Sequence, residues 1–185
     1  MKTAFLSYSL DENTPAYGNG PSLQVAKDKD MQAGDSCNTQ AWHLPNHLGT
    51  HIDAPRHFAG SGQTIESFQA DFWICQRPAL IEFAEVKAKE IITKDHIQSF
   101  SVAEDIDLLL IKTDFGYWRF DQSYATANPG FSLELADYLR ERFPNLKMIG
   151  FDVISLGSFA NRELGRMAHR SFLDHQRPIL PIEDM

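Results

Sequence analysis

Twelve consecutive residues, H-L-G-T-H-I-D-A-P-R-H-F from His47 to Phe58, gather three histidines (His47, His51, His57) and one aspartate (Asp53). Neutral imidazole and carboxylate are the usual protein ligands of zinc and neighbouring divalent ions. All four groups stand on odd positions, which share one face of an extended chain. A straight strand would still hold His47 and His51 roughly 13 Å apart, too far for one ion that binds each ligand at about 2.0–2.2 Å. The chain must therefore bend between them. Gly49 can adopt backbone angles closed to other residues and removes a side chain from the ligand-bearing face. Pro55 fixes its own φ and disfavours a helical Ala54, so the segment is expected to leave the site as an irregular loop. A helix would also put His47 and His51 on one face. Gly49, Thr50, Ile52 and Pro55 oppose it, and the Glu of a helical H-E-x-x-H motif is absent.

The same dodecapeptide resembles the H-x-G-T-H-x-D-x-P-x-H-F motif of the cyclase family of metal-dependent hydrolases, which includes kynurenine formamidase and isatin hydrolase. The resemblance implies that His47, His51 and Asp53 bind metal and that His57 is a general acid/base. The stretch Ile149 to Ser155 is similar to the family's G-x-D-x-x-S segment. The run from His169 to Glu183 resembles its closing His and Glu ligands, which would complete a second ion site, with His175 as a substitute for His169. Tyr17 falls where kynurenine formamidase has a substrate-pocket tryptophan, so it is either a substrate contact or a loop tyrosine packed on the surface. The resemblance further implies a swivelling β/β/α fold, an α/β architecture of mixed sheets with two or three helices, and a homo-oligomer, dimer or tetramer. Members of the family usually continue beyond the position of Met185. The single domain 1–185 is accordingly expected to lack a C-terminal segment or to be a minimal member.

Composition bounds the remaining possibilities. The chain has 185 residues, 43% hydrophobic and 23% charged, which suits one soluble domain with a substantial core. A net charge of −8 provides no basic field for nucleic acid or an anionic membrane surface. No apolar run reaches the roughly 20 residues of a membrane span, and Asp11 interrupts the N-terminal apolar stretch too early for a signal peptide. Two cysteines, Cys37 and Cys75, fit a reducing, cytoplasmic setting, and neither is assigned a role.

The elements that must position the motif follow in order. Thr3 to Leu10 alternates as a first strand would, and T-P-A-Y-G-N-G-P marks a loop. Leu23 to Ala26 and Ser36 to His47 read as strands leading into the motif, with His43 a strand histidine that has a polar partner or supports a ligand. Pro78 to Val86 is a strand, Thr93 a cap for a short helix, and His96 a solvated surface residue. Asp107 to Thr113 is a continuous apolar run of buried-strand length. The aromatics Tyr117, Trp118 and Phe120 after it are assigned to the core ahead of a pocket wall. Ser132 is a candidate cap for a helix over Leu133 to Arg142, Lys147 to Phe151 a strand, and Asp152 an acid at its end that either satisfies turn amides or serves a site. Asn161 to Leu173 reads as a second helix, with Leu164, Ala168 and Phe172 as its apolar stripe and Arg162, Glu163, Arg166 and Arg170 as its solvated side. Pro178 to Ile182 is the last strand.

The chemistry expected of this set is hydrolysis of a C–N bond in a small amide, formamide or cyclic amide, arylformamidase-like. A bound divalent ion, zinc first and manganese second, one or two per chain, would activate the attacking water. Two histidines and a carboxylate also describe a mononuclear non-haem iron oxygenase. A non-catalytic module binding metal or a small molecule is a third reading.

Overall fold

The apolar run at 107–113 becomes the strand around which the main sheet is assembled. The computed structural model describes residues 3–185. Among them the strands are β1 (Gln24–Lys29), β2 (Thr39–His43), β3 (His51–Ile52), β4 (Pro78–Glu82), β5 (Ile91–Ile92), β6 (Leu108–Lys112), β7 (Gly130–Phe131), β8 (Met148–Phe151) and β9 (Leu180–Glu183). The helices are α1 (Lys94–Ile97), α2 (Gln122–Thr126), α3 (Glu134–Arg142) and α4 (Arg162–Leu173), four where two or three were expected; α1 and α2 are single turns.

The main sheet runs β3-β9-β8-β6-β4, parallel from β4 to β9, with β3 antiparallel on the β9 edge. Strand alternation sends Ile81, Leu109, Ile111, Ile149 and Phe151 to one face, where they are buried with α3 and α4 residues Leu135, Leu139, Ala168 and Phe172. The opposite face is less covered: Leu80 is 55% exposed. Two small ribbons complete the layout, parallel β5–β7 and antiparallel β1–β2. Nearly every residue of β1–β2 is exposed.

Several expectations change. Residues 3–10 form no strand; the Tyr8 N–H donates to Thr50 Oγ1 (3.0 Å) rather than to a strand partner, and Phe5, Leu6 and Tyr8 lie beside Leu80 and Leu110 on the less covered sheet face. Tyr117 and Phe120 are 81% and 83% exposed rather than core, because the turn Phe115–Trp118 that follows β6 sends only Phe115 inward. Ser132 caps nothing: Leu133 takes the position before α3, and Ser132 is buried. His43 is exposed at the end of β2, away from the metal motif's donor groups. His96 is not merely solvated, since its Nδ1 accepts the Thr93 N–H (3.1 Å) and its Nε2 lies 3.2 Å from Glu90. Asp152 satisfies turn groups, accepting the Thr113 N–H (2.8 Å) and hydroxyl (2.6 Å).

Candidate metal centre and active site

The motif is delivered to one point by the shortest strand pair of the main sheet. In the antiparallel β3–β9 register His51 stands opposite Glu183, and the Asp53 N–H donates to Pro181 O (3.1 Å). Gly49 has φ +70°, the left-handed conformation that supplies the bend between His47 and His51. Beyond Asp53 the chain forms a 3-10 turn, Pro55–His57, rather than an irregular loop. Pro55 is its first residue, and the turn folds His57 back over the cluster. From the other side α4 presents His169, buried in mid-helix and not at a helix end.

Asp53 is the shared vertex. His47 Nδ1 and His51 Nε2 lie 2.7 and 3.4 Å from its Oδ1, and 3.2 Å from each other. On the other side His169 Nε2 lies 3.6 Å from Asp53 Oδ2 and 3.4 Å from Glu183 Oε1. Two groups of potential ligand atoms result, His47/His51/Asp53 and Asp53/His169/Glu183. Ligands held at 2.0–2.1 Å around a tetrahedral ion stand roughly 3.3 Å apart, so these spacings suit a cation. Both Asp53 oxygens are buried and neither has a partner in hydrogen-bond geometry. An orphaned buried carboxylate is costly, and a cation between it and the imidazole lone pairs removes that cost.

The surrounding groups fix which nitrogen is free. The His51 Nδ1–H donates to Gly49 O (2.8 Å) and the His169 Nδ1–H to Gly165 O (2.7 Å), leaving each Nε2 lone pair aimed inward. Glu183 Oε1 accepts the Leu156 N–H (2.7 Å) and the Ser155 hydroxyl (3.3 Å), which is what the G-x-D-x-x-S stretch contributes. Behind Glu183, Asp184 forms a buried two-pronged pair with Arg119 (2.9 and 2.8 Å) and accepts the Tyr124 hydroxyl (2.6 Å). Sequence reasoning missed Arg119, Tyr124 and Asp184; the only signal was an arginine among aromatics and a second acid beside Glu183.

Electrostatics agree with a cation site. Burial alone would lower the His51 pKa, but Asp53 and Glu183 outweigh it and push it up to about 9. His169 is likewise raised against its burial, chiefly by Glu183. Burial would raise Asp53, yet the facing imidazoles hold it below the usual carboxylate range. Carboxylates that retain a proton on these rings attract a metal ion in the same way. His57 differs: burial, with help from His47 and His169, brings it below 6.5 although Asp53 opposes. Its ring stacks on His47 (centroids 3.8 Å apart) and its Nε2 is 3.9 Å from Asp53 Oδ2, the longest of the cluster's contacts.

The cluster forms the base of a cleft of about 260 Å³. Tyr17 is half-buried on its wall, edge-on to Phe159 (5.4 Å). Arg162 and Arg166 also line it and are exposed, on the solvated side to which the helix pattern assigned them. His175 is exposed, accepts the Arg177 N–H (2.9 Å) and is absent from both ligand groups.

The sequence model of the Cyclase family matches residues 5–158. The chain belongs to the cyclase family. Its relatives in that family include a kynurenine formamidase of Bacillus cereus, 29% identical over 177 residues, covering 95% of this chain and 78% of the relative. Cyclase-like protein 3 of Arabidopsis thaliana is 30% identical over 178 residues, 93% of this chain, which spans only 61% of the plant protein's length. Among solved structures the fold is similar to isatin hydrolase A of Labrenzia aggregata, with TM-score 0.79, 17% identity, and 97% and 78% of the two chains covered. A potential metal-dependent hydrolase with cyclase activity gives TM-score 0.72 and 22% identity over 96% and 78%. These family structures share the mixed-sheet α/β fold described above.

Proposed function

We propose that this protein is a metal-dependent hydrolase that cleaves the C–N bond of a small amide, formamide or cyclic amide, with divalent metal that the two ligand groups sharing Asp53 would hold. The observation that carries this reading is the pair of buried, unpartnered Asp53 oxygens, each faced by imidazole lone pairs. His47, His51 and Asp53 would hold one ion, and Asp53, His169 and Glu183 the second; zinc and manganese both suit such donors. When bound, the metal lowers the pKa of water to about 7 and polarises a carbonyl oxygen. His57, kept largely neutral at pH 7, takes the proton that water loses as its oxygen adds to the carbonyl carbon. It returns that proton to the nitrogen as the C–N bond breaks, giving a carboxylic acid and an amine. Tyr17, whose phenol burial keeps protonated, would donate a hydrogen bond to bound substrate from the cleft wall. The kynurenine formamidases and the isatin hydrolase fold support this reading, and the second ligand group does not favour a mononuclear oxygenase.

The same reading takes the chain as one domain, 1–185, acting on a small molecule in the cytoplasm. Among the described residues no helix is long and apolar enough to cross a membrane. A homo-oligomer is supported by the β1–β2 ribbon, because an isolated hairpin is marginal in water and Trp42 on it is 53% exposed; sedimentation velocity measures this. The functional test is turnover of N-formyl and cyclic amides before and after chelation. Activity that disappears with the metal and returns with zinc or manganese supports the proposal; activity indifferent to chelation overturns it.

A further inference from the structure

Arg162 and Arg166 stand on the cleft wall for a reason set by the helix repeat. Positions 162, 166 and 169 fall on one stripe of α4, so the face that sends His169 to the cluster sends both guanidinium groups along the same cleft. At about 1.5 Å per residue, Arg166 and Arg162 lie roughly 4.5 and 10 Å along the axis from His169. No side chain intervenes at position 165: a Cβ added to Gly165 would come 2.9 Å from Gly157 Cα, so the helix packs directly on the loop that holds Glu183.

Both arginines are exposed along this cleft. Arg77, Arg119 and Arg140 each pair with an aspartate. Among the described residues the other six arginines, Arg162 and Arg166 with them, have no such partner, in a chain with 25 acidic residues against 17 Lys and Arg, and of these six only Arg162 and Arg166 line the cleft. Arg162 also occupies the first turn of α4, where the helix dipole disfavours a cation. Its guanidinium lies 5.6 Å from the Phe159 ring, which Tyr17 supports edge-on. That backing leaves the planar fork to face a ligand, and a guanidinium fork matches a carboxylate. Local rules broken at a cleft mouth mark functional positions.

From this we infer that Arg162 and Arg166 form an anion subsite, and that the substrate is an N-acyl amine or lactam bearing a carboxylate one to two helical turns, about 5–10 Å, from the scissile carbonyl. The small cleft limits that substrate to about one ring. The inference rests on the hydrolase reading for the reaction, but not for recognition of the anion.

The test pairs 3-formamidobenzoate with its methyl ester, which removes the charge and adds one methyl group, on wild type, R162Q, R166Q and the double variant, all zinc-loaded. Calorimetric binding of 3-aminobenzoate and its methyl ester to the same proteins provides a readout independent of turnover. Wild type is expected to prefer the acid by 10- to 100-fold in kcat/KM and in affinity. The preference should fall about three- to tenfold in each single variant and vanish in the double, with the loss in KM rather than kcat. Added salt should erode it in wild type and the single variants and leave the double variant unchanged. An acid-to-ester ratio equal in wild type and the double variant, in turnover or in binding, overturns the subsite. Loss of the binding preference in the double variant with no turnover of either amide supports the subsite and sinks the hydrolase reading instead.

Discussion

Replacing Asp53 by Asn tests the centre most directly, because one side chain serves both ligand groups. The amide keeps the shape of the carboxylate but removes its charge and offers one carbonyl oxygen where Asp53 offers two. His169→Ala, by contrast, removes a ligand from one group only. Wild type is therefore expected to carry two divalent ions per chain by elemental analysis, His169→Ala one, and Asp53→Asn none. The stability consequence follows from linkage. Free metal at 100 times its dissociation constant stabilises the folded state by about 2.7 kcal/mol per ion. At about 2–4 °C per kcal/mol for a chain of this size, each ion raises Tm by roughly 5–10 °C. Zinc added to metal-free protein should thus raise Tm by about 10–20 °C in wild type, about half that in His169→Ala, and almost nothing in Asp53→Asn. Two ions retained by Asp53→Asn, or equal zinc-induced shifts in all three proteins, would refute the shared-vertex arrangement.

Three further outcomes are expected. His57→Ala should lose at least about 100-fold in kcat while keeping its metal, since its Nε2 is the cluster's most distant contact with Asp53; full activity, or loss of the ions, would remove its acid/base role. Asp107 accepts the Gln76 and Arg77 N–H groups (2.8 and 2.9 Å), which outweigh burial and, with Lys147, hold its pKa below the usual carboxylate value. A depressed carboxylate stabilises the fold above the unfolded pKa of about 3.9 and loses that contribution as pH falls through the folded value. Asp107→Asn should cost about 1–2 kcal/mol at pH 7 by urea denaturation, with the difference shrinking below pH 4; a gap as large at pH 3 as at pH 7 contradicts the assignment. Phe172, fully buried between α4 and the sheet, should cost about 3–5 kcal/mol as Ala in the same measurement, and a loss under 1 kcal/mol would show the site to be loosely packed.

What could be read from the sequence divides by the range of the interaction that decides it. The bend at Gly49 and the common face of His47, His51 and Asp53 depend on neighbouring residues, so spacing and backbone chemistry were enough. The buried strand β6 and the stripe of Ala168 and Phe172 were equally local. Glu183 is different: it becomes a site residue through the β3–β9 register opposite His51, a pairing that no local pattern encodes, and only the family resemblance pointed to it. The Asp184–Arg119–Tyr124 network went unseen for the same reason, joining three distant segments behind the site. The errors over Tyr117, Trp118 and Phe120 arose because apolar residues need not be inside. Arg162 and Arg166 show the deeper limit of periodicity. A two-sided helix pattern sorts residues into core and solvent, but α4 has a third face, lining a cleft, and charged residues there look in sequence like any solvated ones. The face becomes visible only when His169 is fixed in the cluster, for the same helical stripe then carries both arginines along the cleft.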